Sequence, residues 1–167
     1  MNQTTRPRAA APAAALALCS ILLAPLTGCL GDTVLPPATS IEETTFAPSL
    51  GIDLALMTRT PAGVYYRDLI VGSGAEIASS QNVGVLYTGY LADGTQFDAT
   101  NAGGPPFVFR YGVGAVIPGF DNGITGMRVG GRRQLVIPPG LAYGPNRNGS
   151  IPPNSILVFT VEVVSAS

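Results

Sequence analysis

The side chains that most often carry catalysis are missing from this chain. Its 167 residues include no histidine, lysine or tryptophan, and its only thiols, Cys19 and Cys29, stand near the N-terminus. Without imidazole, neither a Ser-His-Asp relay nor a Cys-His nucleophile can be assembled. A zinc or iron centre built on imidazole and thiolate lacks ligands as well, so neither a metal nor a cofactor is expected. The formal charge is −1 and charged residues make up 11% of the chain, which argues against a nucleic-acid surface and against an acidic disordered tail. Any activity must run on aromatic rings, phenols, backbone amides and a few carboxylates.

Two other groupings invite chemistry and are set aside. Gly72-Ser73-Gly74 could suggest a phosphate loop, but it has no third glycine and no helix after it, so it reads as a turn. Arg128, Arg132 and Arg133 alternate around a glycine turn; they read as an exposed strand face, with no partner assigned.

The elements that must position the remaining groups are short. A length of 167 residues suits one domain with its own core. From Thr58 onward, β-like runs alternate with Gly, Pro, Asn and Asp: Val64 to Ile70, Asn82 to Leu91, Thr95 to Asp98, Phe107 to Arg110, Arg132 to Ile137 and Ile156 to Val164. Asp93-Gly94 supplies the positive-φ positions that a tight hairpin requires. One segment predicts a helix, Pro118 to Ile124, opening on a proline suited to a first turn and placing Ile117, Phe120 and Ile124 on one side. The predicted class is α+β, a small antiparallel sheet with one short helix against a face.

The first residues read as an address. Arg6 and Arg8 precede an uncharged Ala/Leu-rich stretch from Ala9 to Leu26, interrupted by Pro12 and Pro25; that is a signal-peptide layout rather than a permanent span. The stretch ends in Leu26-Thr27-Gly28-Cys29, which resembles the lipobox of bacterial lipoproteins. That resemblance implies a signal peptide over 1–28, lipid on Cys29, and a mature protein without a free thiol. It would be anchored in the bacterial cell envelope, facing periplasm or exterior. Leu30 in place of an aspartate implies sorting to the outer leaflet where the host has two membranes. Residues 29–57, rich in Pro, Thr, Ser and Ala, read as a flexible tether, with a short helix conceivable around Leu50 to Met57. The tether carries no long helical pattern, so a monomer is expected.

The folded part, 58–167, resembles the FKBP-type peptidyl-prolyl cis-trans isomerases. The likeness rests on Tyr87-Thr88-Gly89, Asp93-Gly94-Thr95-Gln96-Phe97-Asp98, Pro106-Phe107-Val108-Phe109 and Val116-Ile117-Pro118-Gly119-Phe120. It continues through Gly126-Met127-Arg128-Val129-Gly130, Ile137-Pro138-Pro139 and Ala142-Tyr143-Gly144, and closes on the run from Ile151 to Phe159. Each block is weak by itself; their shared order is what carries the likeness. It implies a half-barrel sheet wrapped around the short helix, with a pocket between them, and binding of proline-containing polypeptides and of macrolide inhibitors. Carried over by position, Tyr87, Phe97, Asp98, Tyr143 and Phe159 become the expected catalytic residues. Phe107, Val116, Ile117 and Phe120 become the expected substrate-binding residues. Phe97, Phe107 and Phe159 would wall the proline ring, with Phe120 as floor. The Ile117 N–H and the Tyr143 hydroxyl would donate to substrate, and Asp98 would be a partly buried carboxylate held by Tyr87. Phe109 reads as core.

The sequence departs from the family pattern at the floor, where tryptophan is common, and in Ala99 to Pro106, which lacks the arginine that often pairs with the acid. The loop from Gly144 to Ser150 is also slightly short. The implied reaction suits a chain without histidine. Turning an X-Pro bond breaks amide resonance over a barrier of about 18–20 kcal/mol but cleaves no bond. Two other readings stay open: a chaperone module that holds proline segments with little turnover, and a purely structural surface lipoprotein.

Overall fold

The computed structural model describes residues 40–167. The expected signal peptide over 1–28, the lipid-bearing Cys29 and the tether as far as residue 39 lie outside the described residues. Seven strands and one helix follow in chain order. They are β1 Thr58–Arg59, β2 Tyr65–Ile70, β3 Asn82–Leu91, β4 Gln96–Ala99, β5 Phe107–Arg110, α1 Pro118–Ile124, β6 Arg132–Ile137 and β7 Leu157–Ala166. The sheet is antiparallel, in the order β1-β2-β6-β7-β3-β4, with β5 also on β3.

The curl of the sheet follows from how β3 is paired. Along one edge β3 runs against β7 over its whole length. Along the other, β5 takes Asn82 to Val85 and β4 takes Thr88 to Tyr90. Thr100 fills the gap between them: Tyr87 N–H donates to its hydroxyl at 3.1 Å, and the Thr100 N–H donates to the Tyr87 carbonyl at 3.0 Å. Register shifts at Gly84/Val85 and Gly89/Tyr90 add the local twist that bulges bring.

Period-2 alternation then sorts the side chains. Val83 and Val85 of β3, Leu135 and Ile137 of β6, and Leu157, Phe159, Val161 and Val163 of β7 share one buried core with Phe120 and Ile124 of the helix. Phe109 belongs to that core, as expected. The helix rests directly on β6 because two of its residues have no side chain. A Cβ on Gly119 would collide with the Ile137 methyl, and one on Gly123 would lie 2.8 Å from the Leu135 methyls.

Residues 40–57 differ from the tether expected there. They form a clasp over the opposite face of the sheet. Ile41, only 3% exposed, shares a cluster with Val136, Ile156 and Val158, and Phe46, Leu50, Ile52, Leu54 and Met57 pack against it. Polar bonds fasten the clasp: the Gln134 amide donates to the Leu50 carbonyl at 2.8 Å, Arg67 donates to the Gly51 carbonyl at 3.1 Å, and the Ala47 N–H donates to the Ala92 carbonyl at 2.8 Å. Its helical content is two 3-10 turns, Pro48–Leu50 and Leu54–Leu56. At one end of the outer face Val136 of β6 pairs with Val158 of β7; with Ile156 they form an apolar patch that needs a cover, and this segment supplies it.

The arginines also differ from expectation. Arg133 is 6% exposed and pairs with Asp68; Arg128 is exposed but pairs with Glu76 at 3.1 Å. Arg132 alone matches the open strand face foreseen for all of them. Strand alternation explains the split, since Arg133 falls in phase with Leu135 and Ile137 on the inner face.

Candidate active site

Between the concave face of the sheet and the N-terminal end of α1 lies a cavity of about 410 Å³ lined by Tyr87, Phe97, Asp98, Phe107, Ala115, Val116, Ile117, Phe120, Tyr143 and Phe159. Every site residue expected within the described part of the chain lies on this lining. Cys29, the expected lipidation site, is outside the described residues.

The walls come from separate elements held in contact by their rings. Phe159 on β7 meets Phe97 on β4 edge-on at 5.5 Å and Phe120 on α1 at 5.4 Å, while Tyr87 on β3 lies 5.9 Å from Phe107 and 6.2 Å from Phe120. Edge-to-face arrangements of this kind are the favourable ones for aromatic quadrupoles. Phe120 and Phe159 are buried, whereas Phe107 remains 41% exposed at the rim.

Gly89 makes the arrangement possible. It faces Phe159 on β7 and Asp98 on β4, and a Cβ there would lie 2.6 Å from the Phe97 ring and 2.9 Å from the Phe159 ring. A glycine inside a strand marks such a close approach, a signal present in the sequence and not used. Ala115 is the one residue of this lining that sequence reasoning missed; its small side chain carries no signal of its own.

Polar groups at the cavity are few. The Tyr87 hydroxyl donates to Asp98 Oδ2 at 2.6 Å, and the Ala99 N–H donates to Asp98 Oδ1 at 2.9 Å. Burial, and then the bond to Asp98, raise the Tyr87 phenol well above its ordinary value, so Tyr87 stays a donor at any physiological pH. Asp98 is exposed, rather than partly buried as expected, because β4 is four residues long and, among the described residues, pairs with β3 alone. Both of its oxygens are nonetheless held, by the phenol and by a backbone amide, without the arginine absent from Ala99 to Pro106.

Ile117 is the N-cap of α1. Its carbonyl accepts from the Phe120 N–H at 2.9 Å, and among the described residues its own N–H donates to no protein acceptor. Tyr143 follows the 3-10 turn Pro139–Leu141. The surrounding loop is pinned by the Asn154 N–H, which donates to the Gly144 carbonyl at 2.7 Å, and by Ile151, which enters the core. An apolar, ring-walled hollow with an amide, a phenol and a held carboxylate at its edges can bind and polarise a neutral amide. It contains no arrangement suited to nucleophilic attack.

Comparison with known proteins agrees with this geometry. Residues 74–164 match the family model for the FKBP-type peptidyl-prolyl cis-trans isomerase. The chain is 49% identical over 110 residues to FK506-binding protein 4 of Dictyostelium discoideum, a match covering 64% of this chain and 29% of that protein. It thus spans less than a third of the length of that relative. Among solved structures, it is similar to FkpA from Escherichia coli, with a TM-score of 0.62 and 39% identity over 67% of this chain and 52% of the other. It is likewise similar to AtFKBP13, with a TM-score of 0.60 and 39% identity over 66% of this chain and 98% of that one. With a family model matched across more than half of its residues, the chain belongs to the FKBP-type peptidyl-prolyl cis-trans isomerase family.

Proposed function

We propose that this protein catalyses cis-trans isomerisation of X-Pro bonds in exported polypeptides, held at a bacterial cell envelope by lipid on Cys29. The observation that carries the catalytic part is the ring-walled cavity beside the free Ile117 N–H. A planar amide is strongly dipolar and well solvated; the twisted amide has lost that charge separation. A hollow lined by Phe97, Phe107, Phe120 and Phe159 therefore disfavours the planar forms relative to the twist, and catalysis follows from that difference. The Ile117 N–H and the Tyr143 hydroxyl orient the substrate by its carbonyl oxygens. Asp98, held by Tyr87, acts on the twisting bond electrostatically. No proton is transferred and no bond is cleaved.

The barrier to uncatalysed rotation makes the reaction slow, tens to hundreds of seconds near 25 °C, so a protease-coupled assay on proline peptides reads catalysis directly. The full chain is expected to accelerate the cis-to-trans step, with Asp98→Ala and Phe159→Ala reduced while still folded. A wild-type rate equal to the uncatalysed one rules the reading out. The same cavity is the expected site for a macrolide inhibitor, bound more weakly than where tryptophan forms the floor.

The envelope part rests on Leu26-Thr27-Gly28-Cys29 after an uncharged apolar stretch. Metabolic labelling with a fatty acid in a bacterial host is expected to mark the wild type and not Cys29→Ala. Label on neither sinks the anchor and leaves the isomerase reading standing. Phe107, on the cavity lining and 41% exposed, supports a second reading, a holder of proline segments with little turnover. Suppression of client aggregation by a wild type without turnover is the result that selects it.

A further inference from the structure

The short helix under the pocket is too small to hold itself in place. Its seven residues are below the length at which an isolated helix persists in water, and the carbonyls of its last turn have no intrahelical partner. The Asp121 carbonyl accepts from the Thr125 hydroxyl at 3.1 Å and the Ile124 carbonyl from the Met127 N–H at 3.0 Å; Arg133 meets two more at this end. Arg133 Nη1 donates to the Gly123 carbonyl at 2.9 Å and to the Thr125 carbonyl at 2.9 Å. The same guanidinium is fixed from behind: Nε donates to Asp68 Oδ1 at 2.7 Å, Nη2 donates to Asp68 Oδ2 at 3.1 Å, and its carbon lies 4.2 Å from the centre of the Tyr66 ring.

We propose that Arg133 is a positioning residue for isomerisation, a clamp on the C-terminal end of α1 that sets where Phe120 and the Ile117 N–H stand at the other end. The inference rests on the isomerase reading of the pocket. One feature makes the clamp specific to arginine. Its planar fork satisfies a carboxylate on one side while another nitrogen spans two carbonyls, which a lysine ammonium on a flexible stem does not reproduce. Two more favour any cation held here: the helix dipole at a C-terminus, and burial, with Arg133 6% exposed, which keeps the charge in place only while Asp68 and both carbonyls accept from it.

Transmission to the pocket needs no mobile pathway. Gly119 and Gly123 seat the helix closely on Ile137 and Leu135, and Phe120 and Ile124 enter the core beside them. The Arg133 contacts hold the C-terminal end of that seat. A shift of the helix by a fraction of an ångström moves the floor ring and the Ile117 amide together, and displacements of this size cost catalysis steeply.

The test compares the full chain carrying Arg133→Met, Arg133→Lys or Asp68→Asn with wild type and with Ile41→Ala, which loosens the far face of the sheet. Rates are taken per folded molecule, well below each unfolding midpoint, with 1H–15N spectra of the Ile117 amide and ring spectra of Phe120 recorded alongside. Arg133→Met and Arg133→Lys are expected to lose roughly tenfold or more in kcat/KM, mainly in kcat, with shifted Ile117 and Phe120 resonances. Asp68→Asn follows in the same direction by less, and Ile41→Ala leaves rate and resonances alone. Arg133 variants that lower the midpoint yet keep the wild-type rate and the wild-type Ile117 and Phe120 signals overturn the clamp. An inactive wild type removes the isomerase reading instead, while the two resonances still report whether Arg133 places the helix.

Discussion

Replacing Ile41 by alanine tests whether the clasp is part of the domain. Ile41 is 3% exposed in a cluster with Val136, Ile156 and Val158, none of them on the cavity lining. A buried Ile→Ala change costs about 2–5 kcal/mol, from lost transfer free energy and from the cavity left behind. Phe46 and Leu50 pack against the same cluster and can close part of that cavity, which places the expected cost near the low end, about 2 kcal/mol. For a folded part of this size that corresponds to a midpoint lowered by on the order of 10 °C. Thermal unfolding followed by circular dichroism reads it, with Thr45→Ala, an exposed change in the same segment, as the control expected to move little. Hydrogen exchange gives an independent view, since the Ala47 N–H bonded to the Ala92 carbonyl should be protected in wild type and less so in Ile41→Ala. An unchanged midpoint with a fast-exchanging Ala47 amide refutes the clasp and restores a loose tether.

Gly89→Ala pushes a methyl group into the Phe97 and Phe159 rings; the rings must turn into the cavity, at about 1–3 kcal/mol of stability, and the peptide assay should show kcat/KM falling more than the midpoint does. Tyr87→Phe keeps the ring and removes the 2.6 Å bond to Asp98. With Asp98 exposed, about 1 kcal/mol of stability is expected to go, and turnover should fall as the carboxylate is released. Hydrogen bonds from Ser40 first and Tyr65 second hold the Glu42 carboxyl at about 2 against an ordinary 4.5. Because the folded value is the lower one, the stability Glu42 lends is full above about 4.5 and is lost as pH falls toward 2. Acid titration of unfolding should therefore show a steeper decline in that window for wild type than for Glu42→Gln.

What could be read in advance was what local physics decides. Strands β3, β5 and β6 and the helix fall on the residues the sequence predicts, because alternation, Asp93-Gly94 and Pro118 act within a few residues of where they stand. The cavity was reachable in another way. Its lining is drawn from β3, β4, β5, α1, β7 and two loops, and no periodicity joins Tyr87 to Phe159; only the family order of motifs placed them together. The clasp escaped because its apolar residues carry competing periods: Leu50, Ile52 and Leu54 stand two apart, Phe46, Leu50, Leu54 and Met57 stand at helical spacing, and Pro48 and Gly51 interrupt both. Their positions make sense only against the outer face of β6 and β7.

Arg133 shows where a firmer use of the same local rule would have reached further. Reading β6 as a strand already places residues 133, 135 and 137 on one face, and Leu135 and Ile137 mark that face as the buried one. A charge on it must be paired. The partner was equally available, since Asp68 alternates in phase with Tyr66 on β2 and the strands align Asp68 with Arg133. Two opposite charges on inward positions of neighbouring strands, beside the end of a seven-residue helix, make a clamp more economical than an open basic face: the pairing removes a desolvated charge and caps the helix with the same guanidinium. At Arg133 strand phase outweighs the neighbouring glycine turn, because phase is the constraint that side chains cannot evade.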